Sequence, residues 1–318
     1  MKKKLLLLFT VFILLAVLPF VGIRYKERSS EPKPSDSFSP ESYFRIKDDS
    51  CGKIIKIKDK ELLLRVLAYE MPALYEQEAL KAQCVASYSH LCYLREHSKS
   101  SDYDISGDVQ NNGFYLNDDE MKKRFGENYK KYRARLQSAV DAVFPQKLTD
   151  GGKVIDALYF ALSSGNTENY RDVFGIDEKH HRAVASPLDM LSPEYISKKT
   201  VSSADAEKIL KPLCSGQIDI LKMVPAIKSA ERTRSGYIKS AKLFGKAFTG
   251  EELRKLFSLR SGNFTASYDS DHDSLCFTVY GYGHGVGMSQ FSANEMAKQG
   301  ETYTDILARY YNKATITN

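Results

Sequence analysis

The chain has 318 residues, 42% of them hydrophobic and 27% charged, with a formal net charge of +6. That is enough apolar chain for a well-buried core and for more than one lobe, which excludes a disordered or low-complexity protein. Part of the basic excess is a single lysine run, and no arginine-rich patch with interleaved aromatics occurs, so the charge points to an anionic envelope polymer or lipid headgroups and away from nucleic acid.

At the N-terminus Lys2, Lys3 and Lys4 precede an apolar run from Leu5 to Ile23, close to the length that crosses a bilayer. Lysines on the near side place the N-terminus in the cytoplasm and the remainder outside. A cleaved signal peptide is the alternative, but the run is long for the apolar core of one and no A-x-A site closes it. A single transmembrane anchor over 1–23 is therefore the favoured expectation. The stretch "KERSSEPKPSDSFSPES" follows, rich in Ser, Pro and charge, and reads as a flexible stalk over 24–45. The folded region is expected over 46–318, with room for two lobes.

Residues 61–70, "ELLLRVLAYE", put Leu63, Val66, Leu67 and Glu70 on one helical stripe, so an apolar face ends on a carboxylate. Pro72 disfavours helix at Met71 and stops it there. A second helix is predicted from near Glu76 to about His97, close-packed through Ala79, Ala82 and Ala86. Residues 118–144 read as one helix, followed by a hairpin turn at Gly151-Gly152 and a strand over "KVIDALYFAL". Further strands are predicted near Ile218–Val224, Ile238–Leu243 and Ser274–Val279. "FTGEELRKLF" is a capped helix with Thr249 as N-cap and Glu252 completing the capping box. Gly281 to Gly287 form a glycine-rich loop, then come a helix over Ser289–Gln299 closed by Gly300 and a last helix from an N-cap at Thr304. The mixture of segregated helices and strands is α+β.

Five cysteines, Cys51, Cys84, Cys92, Cys214 and Cys276, are odd in number and lack any C-x-x-C pair, which is neither a disulfide framework nor a structural zinc signature. Adjacent His180 and His181 share no face and read as part of a solvated loop. Glu76 and Glu78 sit in the first turn of a helix, where the macrodipole favours them, so their position needs no further cause. Glu70 is different. It closes a helix, where the dipole disfavours a carboxylate, on a face that should be buried, and both effects raise a carboxyl pKa toward that of a general acid. Snorkelling to solvent is its plain alternative. Lys81 can offset the cost of ionising Glu70 if the two helices form a hairpin. "YGYGHGVGMSQ", residues 280–290, matches neither G-x-G-x-x-G nor a P-loop, but its glycines imply a close backbone approach and present His284 at the centre. A triad of Ser164, His284 and an aspartate lacks the G-x-S-x-G elbow and is set aside.

Taken together, "EMP…EALKAQCVASYSH", "LSSGNTENYRDVFG", "AVASPLD" and "GYGHGVGMSQFSANEMAKQGETYTDILARYY" resemble the stage II sporulation protein D (SpoIID) family, in content and in order, from about residue 55 to the C-terminus. The resemblance implies a SpoIID-like catalytic domain behind a single N-terminal transmembrane helix. It also implies a peptidoglycan lytic transglycosylase that cleaves between N-acetylmuramic acid and N-acetylglucosamine to leave 1,6-anhydro ends during forespore engulfment. The family's "EMP" glutamate is catalytic and corresponds to Glu70; Lys81, Ser163, Ser164, His284 and Gln290 are expected substrate contacts. No cofactor and no metal are expected. The implied partners are glycan strands stripped of peptide, a SpoIIP-like amidase and a SpoIIM-like membrane protein, at the septal membrane between mother cell and forespore. A non-enzymatic glycan-binding activator of an amidase is the alternative. Three departures stand out: Tyr88 replaces an arginine of "AVAARTY", Ala161 replaces a histidine before the Ser-Ser-Gly segment, and "DYDISGDVQNNGFY" has none of the Cys or His with which some members bind zinc.

Overall fold

A computed structural model describes residues 42–107, 114–214 and 217–318. The expected anchor and almost all of the stalk lie outside these residues. Among the described residues no helix is long and apolar enough to cross a membrane.

The chain opens with the hairpin β1 (Tyr43–Asp48) and β2 (Ile54–Lys58), and β3 (Ile105–Gly107) later joins β1 in parallel. Between them run α1 (Asp59–Glu70) and α2 (Gln77–Glu96). Met71 is extended, and its N–H bonds to Leu67 O, so α1 stops where Pro72 requires. Leu62, Leu63, Leu64, Val66, Leu67 and Ala68 are all buried, a wider apolar face than the stripe alone predicts. Each of the four leucines and Val66 contributes about 1.5–3 kcal/mol by its burial.

The predicted helix over 118–144 is interrupted: α3 (Asp118–Phe125) ends at Gly126, whose φ of 53° breaks the helical ladder, and α4 (Tyr129–Val143) resumes after a 3-10 turn. Next come β4 (Lys147–Asp150), the Gly151-Gly152 turn and β5 (Lys153–Val154), paired as expected. The predicted strand then breaks over 155–158, to resume as the short β6 (Tyr159–Phe160). A short helix, α5 (Tyr170–Phe174), follows.

The next stretch builds a second centre. It comprises β7 (Ile196–Ser202), α6 (Ser203–Leu210), α7 (Met223–Lys228), β8 (Glu231–Arg232), β9 (Ile238–Leu243), β10 (Lys246–Phe248), α8 (Gly250–Leu256), β11 (Phe264–Asp269) and β12 (Ser274–Tyr280). The strand expected near Ile218–Val224 is helical instead. Asp219 caps the Leu221 N–H at 3.1 Å, and Ile220, Met223 and Ile227 are buried on a helical, not an alternating, period. The capping box of Thr249 and Glu252 forms as predicted.

After β12 the chain returns to the first centre through β13 (Met288–Ser289), parallel to β6, then α9 (Gln290–Lys298), α10 (Tyr303–Tyr310) and β14 (Thr315–Thr317), which pairs with β4. The N-cap of α10 is Thr302, not Thr304, because Asp305 at N3 completes a capping box with Thr302. Two hydrophobic cores result, one around α1, α2, α4 and the C-terminal helices, the other enclosed by α6 to α8 and the β7-β12-β11 sheet. Helix α2 lies at the middle of the first, packed on α1, α4, α9 and α10. All five cysteines are free thiols, and only Cys51 is exposed.

Candidate active site

Glu70 is the last residue of α1, half-buried where α1, α2 and α9 meet. Burial raises its pKa to about 7, against the opposing pull of Gln290, His90 and Arg124. Gln290, first residue of α9, donates Nε2–H to Glu70 Oε2 and to Gln83 Oε1, both at 3.4 Å. Gln83 in turn donates to Ser87 Oγ at 3.0 Å, and Ser87 also bonds the Tyr159 hydroxyl. The Tyr159 hydroxyl titrates well above its ordinary value through burial and the nearby Glu70 charge.

A negative charge at a helix C-terminus is unfavourable, and the sequence compensates from a distance. Arg124 Nη1 donates to Ala68 O at 3.0 Å and Tyr69 O at 2.9 Å, capping α1 with a cation. This is the place the sequence reading gave to Lys81. The Lys81 ammonium instead pairs with Glu78 and lies 5.1 Å from the Tyr303 ring centroid. Glu78 also accepts from the Tyr303 N–H at 2.9 Å, tying α2 to α10, while Glu76 is the N-cap of α2.

Opposite Glu70, His90 Nδ1 lies 2.6 Å from Asp156 Oδ1, and its ring meets the edge of Tyr159 at 6.5 Å. Burial lowers the His90 pKa, but the charge and hydrogen bond of Asp156, with Glu70, raise it overall. His90, Asp156, Tyr159, Arg124 and Gln83 all escaped the sequence reading. The signal was the i, i+4, i+7 spacing of Gln83, Ser87 and His90 on α2, which puts three polar residues on one face.

The glycine-rich loop supports the site from behind. A Cβ at Gly287 would sit 1.9 Å from Leu158 O, and one at Gly283 2.7 Å from Phe160 Cβ, so the loop presses directly on β6. His284 packs on Phe160 (5.7 Å) and Phe174 (5.8 Å). Its Nδ1 accepts from the Val286 N–H at 3.2 Å and its ring also bonds the Tyr159 backbone, while burial lowers its pKa to about 3. A neutral, braced imidazole is thus held against the strand whose Tyr159 faces Glu70.

Ser163 and Ser164 lie in the adjoining turn. The buried Asp189 accepts from the Ser163 N–H at 3.0 Å and from Ser289 Oγ at 2.7 Å, so one carboxylate fixes both the turn and the residue before Gln290. Ser164 Oγ donates to Ser235 O at 3.1 Å. Of the expected substrate contacts, Gln290 touches Glu70, whereas Lys81, Ser163, Ser164 and His284 are bonded elsewhere.

Two further expectations are corrected. His181 is buried, not solvated: Nε2 accepts from the Leu158 N–H at 3.2 Å and Nδ1 meets Glu178 Oε2 at 2.6 Å. Tyr88 faces away from Glu70, donating to Asp59 Oδ2 at 3.1 Å beside Arg95, so the replacement of the family arginine falls on the core side of α2. Among the described residues no group of three or more His, Cys, Asp or Glu is arranged to hold a metal. Residues 108–113 of the segment read for zinc lie outside them.

Comparison with known proteins agrees with the family resemblance. The family described as "SpoIID: Stage II sporulation protein" matches residues 47–149. Stage II sporulation protein D of Bacillus amyloliquefaciens is 30% identical over 91% of this chain and 82% of its own length. That of Bacillus subtilis is 31% identical over 81% of this chain and 74% of its own. A Bacillus subtilis protein named amidase enhancer is 24% identical over 80% of this chain and 40% of its own length.

Proposed function

Because the chain belongs to the stage II sporulation protein D family, we propose that it is a lytic transglycosylase that cuts peptidoglycan glycan during forespore engulfment, with Glu70 as its acid and base. The observation that carries this reading is one carboxyl, raised to about 7 by burial against the opposing pull of Gln290, His90 and Arg124.

Near neutral pH such a group is about half protonated and can act in both directions. Protonated, Glu70 gives its proton to the glycosidic oxygen as the bond from the muramic anomeric carbon to that oxygen breaks. As carboxylate, it then takes the proton of the muramic 6-hydroxyl while that oxygen bonds to the anomeric carbon. No water is consumed and Glu70 ends as it began. An intramolecular nucleophile removes the need for the second carboxylate of a hydrolase. Gln290 would hold the carboxyl for both steps. Lys81, Ser163, Ser164 and His284 would then act on the glycan indirectly, by fixing α2 and the loop that surround Glu70.

In this reading the apolar run from Leu5 to Ile23 anchors the protein in the septal membrane, glycan strands freed of peptide are the substrate, and a SpoIIP-like amidase and a SpoIIM-like membrane protein are partners. The amidase enhancer relative supports a second reading, a glycan-binding activator of an amidase. Mass spectrometry of denuded glycan strands incubated with wild type and Glu70→Gln separates the two. The first reading expects 1,6-anhydro ends from wild type and none from the variant. Stimulation of an amidase by both proteins, with no anhydro ends from either, would establish the second.

A further inference from the structure

The polar face of α2 does not end at the groups that touch Glu70. One turn beyond Ser87, His90 is held through Nδ1 by Asp156 at 2.6 Å, with side-chain exposures of only 18% and 14%. Asp156 comes from the break between β5 and β6, flanked by buried Ile155 and Ala157, and three residues later Tyr159 presents its ring to His90 and its hydroxyl to Ser87. The pair joins α2 to the β5–β6 break, and Tyr159 ties it to the hydrogen-bonded chain Ser87–Gln83–Gln290 that ends on Glu70, so it is part of one cluster with the acid and not a chance contact on a surface. His90 is also the last residue of "CVASYSH", where the motif "AVAARTY" has tyrosine, so the histidine is a further departure from that motif.

We propose that His90, oriented by Asp156, is the charge partner of Glu70: its imidazolium stabilises the carboxylate left when Glu70 has given its proton to the leaving oxygen, and keeps that carboxylate ready for the 6-hydroxyl. The inference deepens the transglycosylase reading and rests on it. With Nδ1–H committed to Asp156, the imidazole changes charge at Nε2 alone. Asp156 favours the charged ring, and the charged ring in turn favours ionised Glu70. The other groups facing Glu70 are Arg124 from α3, Tyr69 from α1 and Tyr159 from β6, and those facing His90 are Asp156 and Glu70. Substituting His90 leaves Arg124 in place, so any change in Glu70 reports the imidazolium. His90 acts through Glu70 and is a positioning residue.

The test uses the full-length chain in detergent. An infrared titration with isotope-labelled glutamate, taken as the difference from Glu70→Gln, gives the protonation midpoint of Glu70 without substrate. His90→Gln should move that midpoint upward by about one unit, the effect expected on losing a nearby opposite charge. Asp156→Asn should move it the same way, and His90→Lys, which keeps a cation, should return it toward wild type. A purely structural role would not give that rescue. Formation of anhydro ends by His90→Gln should fall about tenfold, with its alkaline limb shifted in step with the midpoint. An unmoved midpoint in both His90→Gln and Asp156→Asn overturns the inference, whatever the activity. Absence of anhydro ends from wild type, with the midpoint shifted, would instead sink the transglycosylase reading and leave the charge pairing standing.

Discussion

Gln290 donates to Glu70 across 3.4 Å, joining the first residue of α9 to the last residue of α1 from 220 positions away in the chain. The contact is long and favours the ionised carboxyl, so it restrains the rise that burial causes. Gln290→Ala should raise the Glu70 midpoint by about half a unit and slow formation of anhydro ends several-fold. A variant with wild-type rate and alkaline limb would show that Gln290 is mere packing.

Glu70 also makes stability depend on pH. Its folded pKa of about 7 lies above the ordinary 4.5, so the native state holds the proton more tightly than the unfolded chain. A raised carboxyl costs nothing below the lower value and destabilises progressively as pH climbs to the upper one, by up to about 3 kcal/mol before discounting for the partial exposure of the group. Glu70→Gln should therefore melt close to wild type at pH 4.5 and above it at pH 8. Glu168, also raised to about 7 by burial, is present in both proteins and cancels from the comparison. Parallel melting curves across the window would refute the burial argument.

Arg124 and Lys81 give a paired contrast. Arg124 caps two carbonyls of α1 and its charge opposes the rise at Glu70, whereas Lys81 is engaged by Glu78. Arg124→Met should cost about 1–3 kcal/mol in urea unfolding through the lost charged hydrogen bonds, and should raise the Glu70 midpoint. Lys81→Met should leave the midpoint unmoved. The reverse ranking would restore Lys81 to the place beside Glu70 that its position in the motif suggests.

Much of the scaffold was legible in the sequence because local rules decide it. Pro72 ends α1, Thr249 and Glu252 start α8, and Gly151-Gly152 turn the β4–β5 hairpin, each by chemistry confined to a few residues. Glu70 could be singled out for the same reason, as a carboxylate at the wrong end of an apolar stripe. What surrounds it could not. Arg124 and Asp156 arrive from α3 and the β5–β6 break, and no spacing within any one segment announces that they converge; Gln290, from α9, was named only through the motif resemblance. Local rules also misled where two of them competed. Ile218–Val224 has strand-like composition, but the Asp219 cap commits the chain to a helical turn. His181 looked polar and exposed until Glu178 and the Leu158 N–H supplied buried partners for both ring nitrogens.

Gly287 should tolerate no side chain. Its φ of 85° is one that L residues rarely adopt, and an added Cβ would meet Leu158 O at 1.9 Å, a backbone atom that cannot swing aside. Gly287→Ala must break the β13–β6 pairing and shift Gln290, three residues on. Loss of more than about 3 kcal/mol, or no soluble folded protein, is expected. A variant with wild-type melting would mean that the loop does not press on β6.

His284 is the strongest chemical candidate by residue type, yet its setting argues for a brace. Burial holds it neutral down to about pH 3, Phe160 and Phe174 pack against its ring, and the Val286 and Tyr159 backbones take its hydrogen bonds. A group that does not titrate between pH 5 and 9 cannot shape a pH profile in that range. His284→Ala should thus lower thermal stability by about 2–4 kcal/mol through the cavity and the freed backbone groups. The residual activity should keep the wild-type pH dependence, because Tyr159 and the acid it faces are displaced but not retitrated. A changed alkaline limb in this variant, at unchanged stability, would instead put His284 among the groups that exchange protons with the glycan.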